Sequence, residues 1–453
     1  MTGFLIYEGG EVAEELRENL TRVRIGALVT EIRNGAFRGC KKLTEVQFNE
    51  GTKTIDEEAF QDCIALRSIT TPSTVTELGK RAFFGCHKLA EVKLNEGLQV
   101  IGECAFQGCT SLQSVSVPST VTKLGGYALC DCSNLADVQL NEGLQIIEAG
   151  AFWHSKALRS LTLPSTVVEL GKFVFWDCRN LVEVQLNEGL QIIGERTFAS
   201  CRALLSATIP STVTELGDWA FRYCSDLAEV KLNEGLRVIG AGAFRDCTAL
   251  QSVTIPSTVT KLGYQAFSGC SDLSEVIFLG GERLLDHEFL NQCLLCEEGM
   301  INIERLHVMI AGYPYPFHEC RKLSAVKLSV SRALCERMVR LLPESRLSVL
   351  ERIRNLPRLE LMQDGAILAC FPVVSIPVNV QDTNLETARS LHRILQSIAY
   401  HELKEASIVI ELAIWKSRID VDRERTDCRV SIPDPAKILI MEYFGLSGFE
   451  SDL

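Results

Sequence analysis

The sequence predicts an α/β solenoid of short stacked coils, followed by a mostly α-helical C-terminal cap or domain. The main observation is a cysteine that recurs every 23 residues through most of the 453-residue chain. Turns of the Asn-Glu-Gly and Pro-Ser-Thr types alternate between coils, so the full unit is 46 residues long. The period ends near Val330, which gives an N-terminal cap (1–21), a solenoid of about thirteen coils (22–328) and a C-terminal region (329–453).

A single coil shows how the repeat is expected to fold. The segment Leu112–Val117 reads L-x-x-V-x-V, the pattern of a short strand whose alternate residues face one side. In the same repeat, Ala105, Phe106 and Cys109 have the spacing of a single helical turn that points inward. Because no coil can bury this face alone, neighbouring coils must stack and share one elongated core.

The repeat resembles that of the BspA-like leucine-rich repeat proteins. Their pattern, L-x-x-V-x-I-P-x-x-V-x-x-I-G-x-x-A-F-x-x-C-x-x-L, matches this chain almost position by position over residues 22–328. The resemblance implies a right-handed superhelical solenoid that binds proteins or surfaces, as in bacterial adhesins, and it implies no catalytic residues. The C-terminal region resembles the helical ends of repeat proteins from unicellular algae.

The periodic cysteine is interpreted as a core residue, because thiols are small and are often buried. A regular stack would leave equivalent Cβ atoms about 4.8 Å apart, beyond the range of a disulfide. One coil has serine instead, which fits a requirement for size better than one for chemistry. The periodic positions are Cys40, Cys63, Cys86, Cys109, Cys132, Ser155, Cys178, Cys201, Cys224, Cys247, Cys270 and Cys293, with Cys320 displaced by four residues in the thirteenth coil.

Composition excludes several classes of function. The net charge of −12 disfavours a nucleic-acid binder and favours a protein partner, possibly a basic one. The longest apolar run, Ala366–Val380, contains two prolines and is shorter than the roughly 20 residues that span a bilayer. The first twenty residues do not resemble a signal peptide, so we expect a cytoplasmic protein with reduced thiols.

Two polar ladders are predicted on the outside of the solenoid. One contains the outward strand positions, which include Lys93, Gln139, Gln185 and Lys231, and which form either a solvated sheet face or a broad protein-binding surface. The other repeats every two coils in the Asn-Glu-Gly turns and is interpreted as a solvated acidic edge, with a basic partner or loosely held cations as the alternative. Its members are Glu50, Glu96, Glu142, Glu188 and Glu234.

A local aromatic signal accompanies the core motif. Trp153 and Trp176 each follow a core phenylalanine, where most coils have a smaller or polar residue. With Phe173, Trp219 and Tyr223 they could form an exposed patch for a protein or a sugar ring. Packing against neighbouring long side chains is the alternative interpretation.

A rival hypothesis places metal or redox chemistry near the end of the solenoid. Cys293 and Cys296 have the spacing of metal ligands, and His318 with Cys320 could complete a zinc site. Since Cys293 and Cys320 are interpreted as core positions, we predict no metal and no cofactor. No phosphate loop or nucleophile motif occurs, so the chain is predicted to be non-catalytic.

After residue 329 the pattern predicts amphipathic helices that break at Pro343, a long helical hairpin, and a final helix. This region is read as a cap over the open strands, or as an effector or dimerisation module. The predicted function is a non-catalytic scaffold for protein interactions. A surface adhesin or glycan-binding protein, and a metalloprotein or enzyme with chemistry in the C-terminal region, are the alternatives.

Overall fold

The computed structural model describes residues 4–280, 316–330, 332–362, 367–372 and 383–421. The chain divides into two compact units: the described residues up to Ile277 form the first together with residues 316–324, and the remaining described residues form the second. The first unit contains the repeats, and the second contains most of the C-terminal region.

One side of each repeat is a two-residue strand, and eleven such strands form one continuous parallel sheet. Equivalent residues pair, so Leu124 lies beside Ile101 and Ile147 at an offset of 23 residues. The second residue of each strand is buried and the first faces outward. The strands are Glu31–Ile32, Thr54–Ile55, Glu77–Leu78, Val100–Ile101, Lys123–Leu124, Ile146–Ile147, Glu169–Leu170, Ile192–Ile193, Glu215–Leu216, Val238–Ile239 and Lys261–Leu262.

A second side of each repeat is a strand of three or four residues, whose central residue is buried in most coils. Three strands pair at the N-terminal end: Phe4–Tyr7, Arg22–Ile25 and Glu45–Gln47, with a short helix at Glu14–Arg17. The following strands form parallel pairs: Ser68–Thr70 with Glu91–Lys93, Ser114–Val117 with Asp137–Leu140, Ser160–Thr162 with Glu183–Gln185, and Ser206–Ile209 with Glu229–Leu232. The last strands of this side are Ser252–Ile255 and Glu275–Phe278.

The third side is a turn, and here the predicted helical turn is wrong. The N–H groups of Cys104, Phe106 and Gly108 bond to carbonyl oxygens of the next coil at 2.8–2.9 Å, as in a parallel sheet. Cys104 and Gly108 have positive φ angles of 55° and 76°, which prevents a continuous helix. Among the described repeats no α-helix follows Glu14–Arg17, so the solenoid consists of strands and hydrogen-bonded turns.

The core contains a column of stacked phenylalanine rings, one from each coil. Neighbouring centroids are 5.0 to 5.5 Å apart from Phe152 to Phe317 in the C-terminal part of the column. A similar stack runs from Phe37 to Phe106, and Leu129 interrupts the column between the two parts. The prediction that these residues form one elongated core is confirmed by their complete burial.

The periodic cysteine supplies a hydrogen bond as well as a small volume. Cys201 Sγ donates to the carbonyl oxygen of Phe175 in the preceding coil at 3.1 Å, and the other described periodic thiols after Cys40 do the same at 3.1–3.4 Å. Ser155 Oγ donates the equivalent bond to Leu129 at 3.0 Å. Serine therefore preserves a donor, which corrects the view that only size matters at this position. Burial raises the pKa of these thiols, to about 12 at Cys132.

The acidic ladder is part of the stacking rather than an empty solvated edge. The carboxylate of Glu142 accepts bonds from the N–H and hydroxyl of Ser165 in the next coil, at 3.1 and 2.9 Å. These two donors lower the pKa of Glu142. The same contacts join Glu50, Glu96, Glu188 and Glu234 to Ser73, Ser119, Ser211 and Ser257.

The asparagine of the same turn reaches in the other direction. Asn187 Nδ2 donates to the carbonyl oxygens of Pro164 and Val167 in the preceding coil, at 2.7 and 3.0 Å. The turn of Asn187 and Glu188 thus binds the Pro-Ser-Thr turns on both sides. This explains in physical terms why the two turn types alternate and why the sequence unit is 46 residues.

The coil that follows Cys270 is that of Cys320. Cys320 Sγ donates to the Phe267 carbonyl oxygen at 3.1 Å, and the Phe317 ring stacks on Phe267 at 5.5 Å. These are the contacts that each earlier coil makes with its direct neighbour. The predicted coil at Cys293 is therefore absent from this position in the stack, and Cys293 itself lies outside the described residues.

The second unit contains both helices and a sheet. Ala325–Ser329 and Leu359–Leu361 pair antiparallel with opposite edges of Ile367–Pro372, a sheet that the sequence pattern does not predict. The helices are Arg332–Arg340, Pro343–Asn355 and Thr383–Val421.

Helix predictions for this unit have mixed outcomes. The break at Pro343 is confirmed, because a new helix begins there. The predicted hairpin is wrong: Thr383–Val421 is one helix of 39 residues. Arg337 holds it through two bonds to Glu402, at 2.9 and 2.6 Å. The final predicted helix lies outside the described residues.

The thiol ladder yields a first prediction. We expect Cys201→Ala to lower the free energy of unfolding by about 1 kcal/mol or more, because it removes the donor to Phe175 and leaves a small cavity. Cys201→Ser, which keeps a donor, is expected to lose less. Urea unfolding followed by circular dichroism measures both. Ser155→Cys is the matched control and should change stability by less than about 0.5 kcal/mol; a serine variant less stable than the alanine variant would contradict a role for the hydrogen bond.

His401 yields a prediction of pH dependence. Burial, with Lys404 and Arg352 nearby and opposed by Glu405, lowers the pKa of this side chain. The neutral His401 side chain therefore makes its full contribution to the free energy of unfolding above the pKa of the unfolded state, about 6.5. This contribution is lost as the pH falls through the lower pKa of the folded state. We expect the guanidinium midpoint of the helical signal to fall between about pH 7.5 and pH 5.5. His401→Gln should reduce this fall, and an unchanged pH dependence in that variant would refute the assignment.

Candidate binding surface

The predicted site residues lie on two different sides of the repeat. Lys93, Gln139, Gln185 and Lys231 are exposed on the three- and four-residue strands. Gln185 accepts from Thr162 in the preceding coil at 3.2 Å and donates to its own strand's carboxylate at 3.0 Å. These strand residues form a polar row whose groups bond partly to one another.

The aromatic residues instead belong to a row in the turns, here called the turn strip. Each coil contributes two residues to it. One lies two positions before the core phenylalanine, or before Leu129 in its coil, and the other directly follows that core residue. The register brings the second position of one coil beside the first position of the next, as in the 2.7 Å bond from Arg38 to Glu58. The turn strip consists of Gly35, Arg38, Glu58, Gln61, Arg81, Phe84, Cys104, Gln107, Tyr127, Cys130, Gly150, Trp153, Phe173, Trp176, Arg196, Ala199, Trp219, Arg222, Gly242, Arg245, Gln265 and Ser268.

The centre of the turn strip is an aromatic stack. The indole rings of Trp153 and Trp176 are 4.6 Å apart with an interplanar angle of 17°. Phe173 lies 5.4 Å from Trp176, and Tyr127 lies 5.8 Å from Trp153 on the other side. All four side chains are half-buried. The prediction that these residues cluster is confirmed in geometry for Trp153, Trp176 and Phe173.

Arginine side chains lie over the other two predicted aromatic residues, and one of them also reaches the stack. The Arg196 guanidinium lies over the rings of Phe173 and Trp219, at 5.6 and 4.4 Å. Arg222 lies over the Tyr223 ring at 4.4 Å and donates to its hydroxyl at 2.7 Å. Tyr223 is 42% exposed and stands beside the strip rather than in it.

Ring orientation limits what this surface can bind. Trp153 and Trp176 cover one face of each other, Phe173 lies tilted at 34° beside Trp176, and Arg196 covers one face of Trp219. Stacking of a sugar needs an open ring face, whereas a protein contact can also use ring edges and guanidinium groups.

Glycines in the strip make room for the rings. A Cβ atom on Gly150 would lie 2.4 Å from the Tyr127 ring, and one on Gly242 would lie 2.4 Å from the Trp219 ring. Both glycines have positive φ angles, of 64° and 57°. Each follows an aromatic residue by one coil, so the ring lies flat over the backbone of its neighbour.

A histidine that the sequence did not single out lies beside the strip. His154 Nδ1 lies 3.0 Å from a carboxylate oxygen of Asp131, and Nε2 lies 3.7 Å from Asp177. Arg179 contacts the other oxygen of Asp177 at 2.9 Å. The signal was present, because Asp131, His154 and Asp177 are separated by the 23-residue period. The contacts join three successive coils next to the tryptophan pair.

Among the described residues, no group of three or more His, Cys, Asp or Glu side chains is arranged to hold a metal ion. Cys320, a member of the hypothetical zinc set, donates its thiol to the core carbonyl of Phe267. Cys293 and Cys296 lie outside the described residues. In the part of the chain that is described, no helix is long and apolar enough to cross a membrane.

A family model described as the BspA type leucine rich repeat region (6 copies) matches residues 15–136, 53–181, 99–228 and 145–274. Together these matches cover more than half of the chain. The chain belongs to the BspA-type leucine-rich repeat family. This confirms the resemblance that was predicted from the repeat.

Solved structures with similar repeats are known from several bacteria. A leucine rich cell surface protein from Faecalibacterium prausnitzii is 22% identical, with a TM-score of 0.41, over 69% of this chain and 88% of that one. A leucine-rich repeat protein from Bacteroides ovatus is 23% identical, with a TM-score of 0.33, over 58% and 84%. The pneumococcal vaccine antigen PcpA is 17% identical, with a TM-score of 0.37, over 61% and 74%. No curated protein matches the chain.

The tryptophan pair of this BspA-type repeat can be tested without a ligand. Two indoles stacked at 4.6 Å should couple and give an exciton couplet in far-ultraviolet circular dichroism. We expect Trp153→Phe or Trp176→Phe to abolish the couplet, because either change removes one indole. Trp219→Phe is the matched control and should preserve it. A couplet that survives in both test variants would contradict the stack.

Proposed function

We propose that this protein is a non-catalytic scaffold that binds another protein through the turn strip. The observation that carries this proposal is the continuous contact from Tyr127 through the tryptophan pair and Arg196 to Trp219. Tryptophan, tyrosine and arginine are the residues that dominate binding energy at protein interfaces. Here they form a pre-arranged row on a rigid repeat, which reduces the entropy that binding would otherwise lose.

The strand row is the weaker candidate for the primary contact. Its described members are polar and lack aromatic anchors, and amide groups such as that of Gln185 are already engaged within the ladder. Side chains of this kind suit the rim of an interface more than its centre. We assign the strand row a secondary role.

An adhesin remains compatible with this scaffold, because an adhesin is also a binding protein. A glycan-binding role for the two tryptophans is less well supported, since each indole already uses one face to stack on the other. We also propose a reducing, cytoplasmic setting, because the core thiols act as hydrogen-bond donors and oxidation would remove their protons. For the C-terminal region we propose a cap of mixed helix and sheet.

Affinity purification with the full chain as bait tests the primary contact. Bait with Trp153→Ala and Trp176→Ala should recover at least ten-fold less of a partner that the native bait enriches, since hot-spot truncations cost about 2 kcal/mol or more. The matched control is Gln139→Ala with Gln185→Ala, which changes two strand residues in neighbouring coil pairs and should recover the partner normally. Circular dichroism confirms that each bait is folded.

The opposite result has a clear meaning. If the glutamine variant loses the partner and the tryptophan variant retains it, the strand row is the binding surface and the proposal is wrong. Cross-linking followed by mass spectrometry should place the captured protein on the turns around Trp153 rather than on the strands.

A further inference from the structure

The turn strip has a charge opposite to that of the chain. The protein carries a net charge of −12, yet the strip contains five arginines and a single glutamate. Glu58 lies between Arg38 and Arg81, at 2.7 and 3.6 Å, and partly neutralises the positive charge of the N-terminal half of the strip. The C-terminal half has no acidic member, and its charged residues are Arg196, Arg222 and Arg245.

Acidic side chains beside the strip compensate this half only partly. Arg196 pairs with Glu195 at 2.9 Å. Arg245 Nε lies 3.4 Å from Asp246, at the long end for such a pair. Among the described residues Arg222 forms no salt bridge, and its hydrogen-bond acceptor is the Tyr223 hydroxyl. Arg222 and Arg245 occupy the same position in adjacent coils, so their backbones are about 5 Å apart.

Unsatisfied donors concentrate in the same row. Four buried N–H groups of the strip form no hydrogen bond: Arg81 Nε, Trp153 Nε1, Arg222 Nε and Arg245 Nε, the last of which lies 3.4 Å from Asp246 without the geometry of a hydrogen bond. Buried donors are normally hydrogen-bonded, and one left without an acceptor is destabilising. Because arginine side chains are long, a modest rotation would present these donors to an incoming acceptor. In the C-terminal half, Arg245 Nη1 already donates to Gln265 at 2.7 Å, whereas Arg222 Nε and Arg245 Nε are donors that a ligand carboxylate could satisfy.

We propose that the C-terminal half of the turn strip, from Arg196 to Arg245, binds an acidic segment of a protein partner. The proposal rests on the proposed function and specifies its ligand chemistry. One carboxylate can bridge two guanidinium groups in adjacent coils, and arginine binds carboxylates in a bidentate manner. Trp219 and Tyr223 supply apolar contact beside them, so alternating acidic and apolar residues fit this surface.

A nucleic acid fits the surface less well than an acidic peptide. Extended phosphate backbones gain affinity from many basic contacts, whereas this strip offers three arginines within an acidic chain. Carboxylates at the flanks, such as Glu195 and Asp246, would repel a long polyanion. A short acidic segment avoids most of that repulsion. The overall charge predicts a basic partner, but the local charge of the strip favours the opposite.

Selection from a random peptide library displayed on phage tests the proposal with the full chain. Peptides enriched on the native protein should be rich in Asp and Glu beside apolar residues. A triple variant, Arg196→Gln, Arg222→Gln and Arg245→Gln, should lose this enrichment. The matched control, Arg67→Gln, Arg159→Gln and Arg237→Gln, removes the same charge from exposed strand-side positions and should retain it.

Fluorescence anisotropy then measures the strongest selected peptide. We expect the strip variant to bind at least ten-fold more weakly than the native protein, and added salt to weaken native binding. Enrichment of neutral or basic peptides would overturn the proposal, as would equal weakening by the control variant. Tighter binding of a labelled single-stranded oligonucleotide would identify the surface as a nucleic-acid site instead.

The two proposals fail in different ways. If the tryptophan variant loses its captured partner while the selected peptides show no acidic bias, the scaffold function stands and the acidic ligand is wrong. If the native protein selects acidic peptides that bind independently of the three arginines, the ligand chemistry is correct but its site is not. If no peptide is enriched and neither bait variant changes the recovered proteins, both proposals fail.

Discussion

Backbone hydrogen bonds between the turns hold neighbouring coils at a fixed offset of 23 residues. This register places each side chain against its own equivalent, which is why phenylalanine stacks on phenylalanine and each core thiol reaches the carbonyl of the coil before it. The same register puts Trp153 against Trp176. Core and candidate binding surface therefore have a common cause, and they differ only in whether the repeated position faces inward or outward.

Much of the fold follows from the sequence because repetition makes burial visible. An apolar residue that returns at every period, such as Phe106, can only be core, and the period itself gives the stacking direction. The turns were harder to predict. Ala105, Phe106 and Cys109 have helical spacing, but left-handed residues at Cys104 and Gly108 bend the chain so that its N–H groups point to the next coil. The pattern of apolar and polar side chains does not predict these positive φ angles.

The candidate site was only partly predictable. The tryptophans stood out because they depart from the consensus, whereas Arg196 and Arg222 looked like ordinary surface residues until the register placed them over aromatic rings. The net charge of the chain does not report this local charge. Five acids of the repeats, such as Glu142, are held by serine donors in the turns, and the sum over the chain hides a local row of arginines. The coil of Cys320 was predicted correctly as a core coil, but a further coil at Cys293 was predicted before it, because Cys293 keeps the 23-residue period from Cys270.

The hydrogen bonds between Asn-Glu-Gly and Pro-Ser-Thr turns constrain how the number of coils in such a chain can change. Loss of one coil would bring two turns of the same type together, leaving either a serine without its carboxylate or two carboxylates side by side. Duplication of one coil would have the same effect. Removing or adding two coils restores every contact. The unit of evolution for this solenoid is therefore the 46-residue pair, and natural variants of it should differ in length by even numbers of coils.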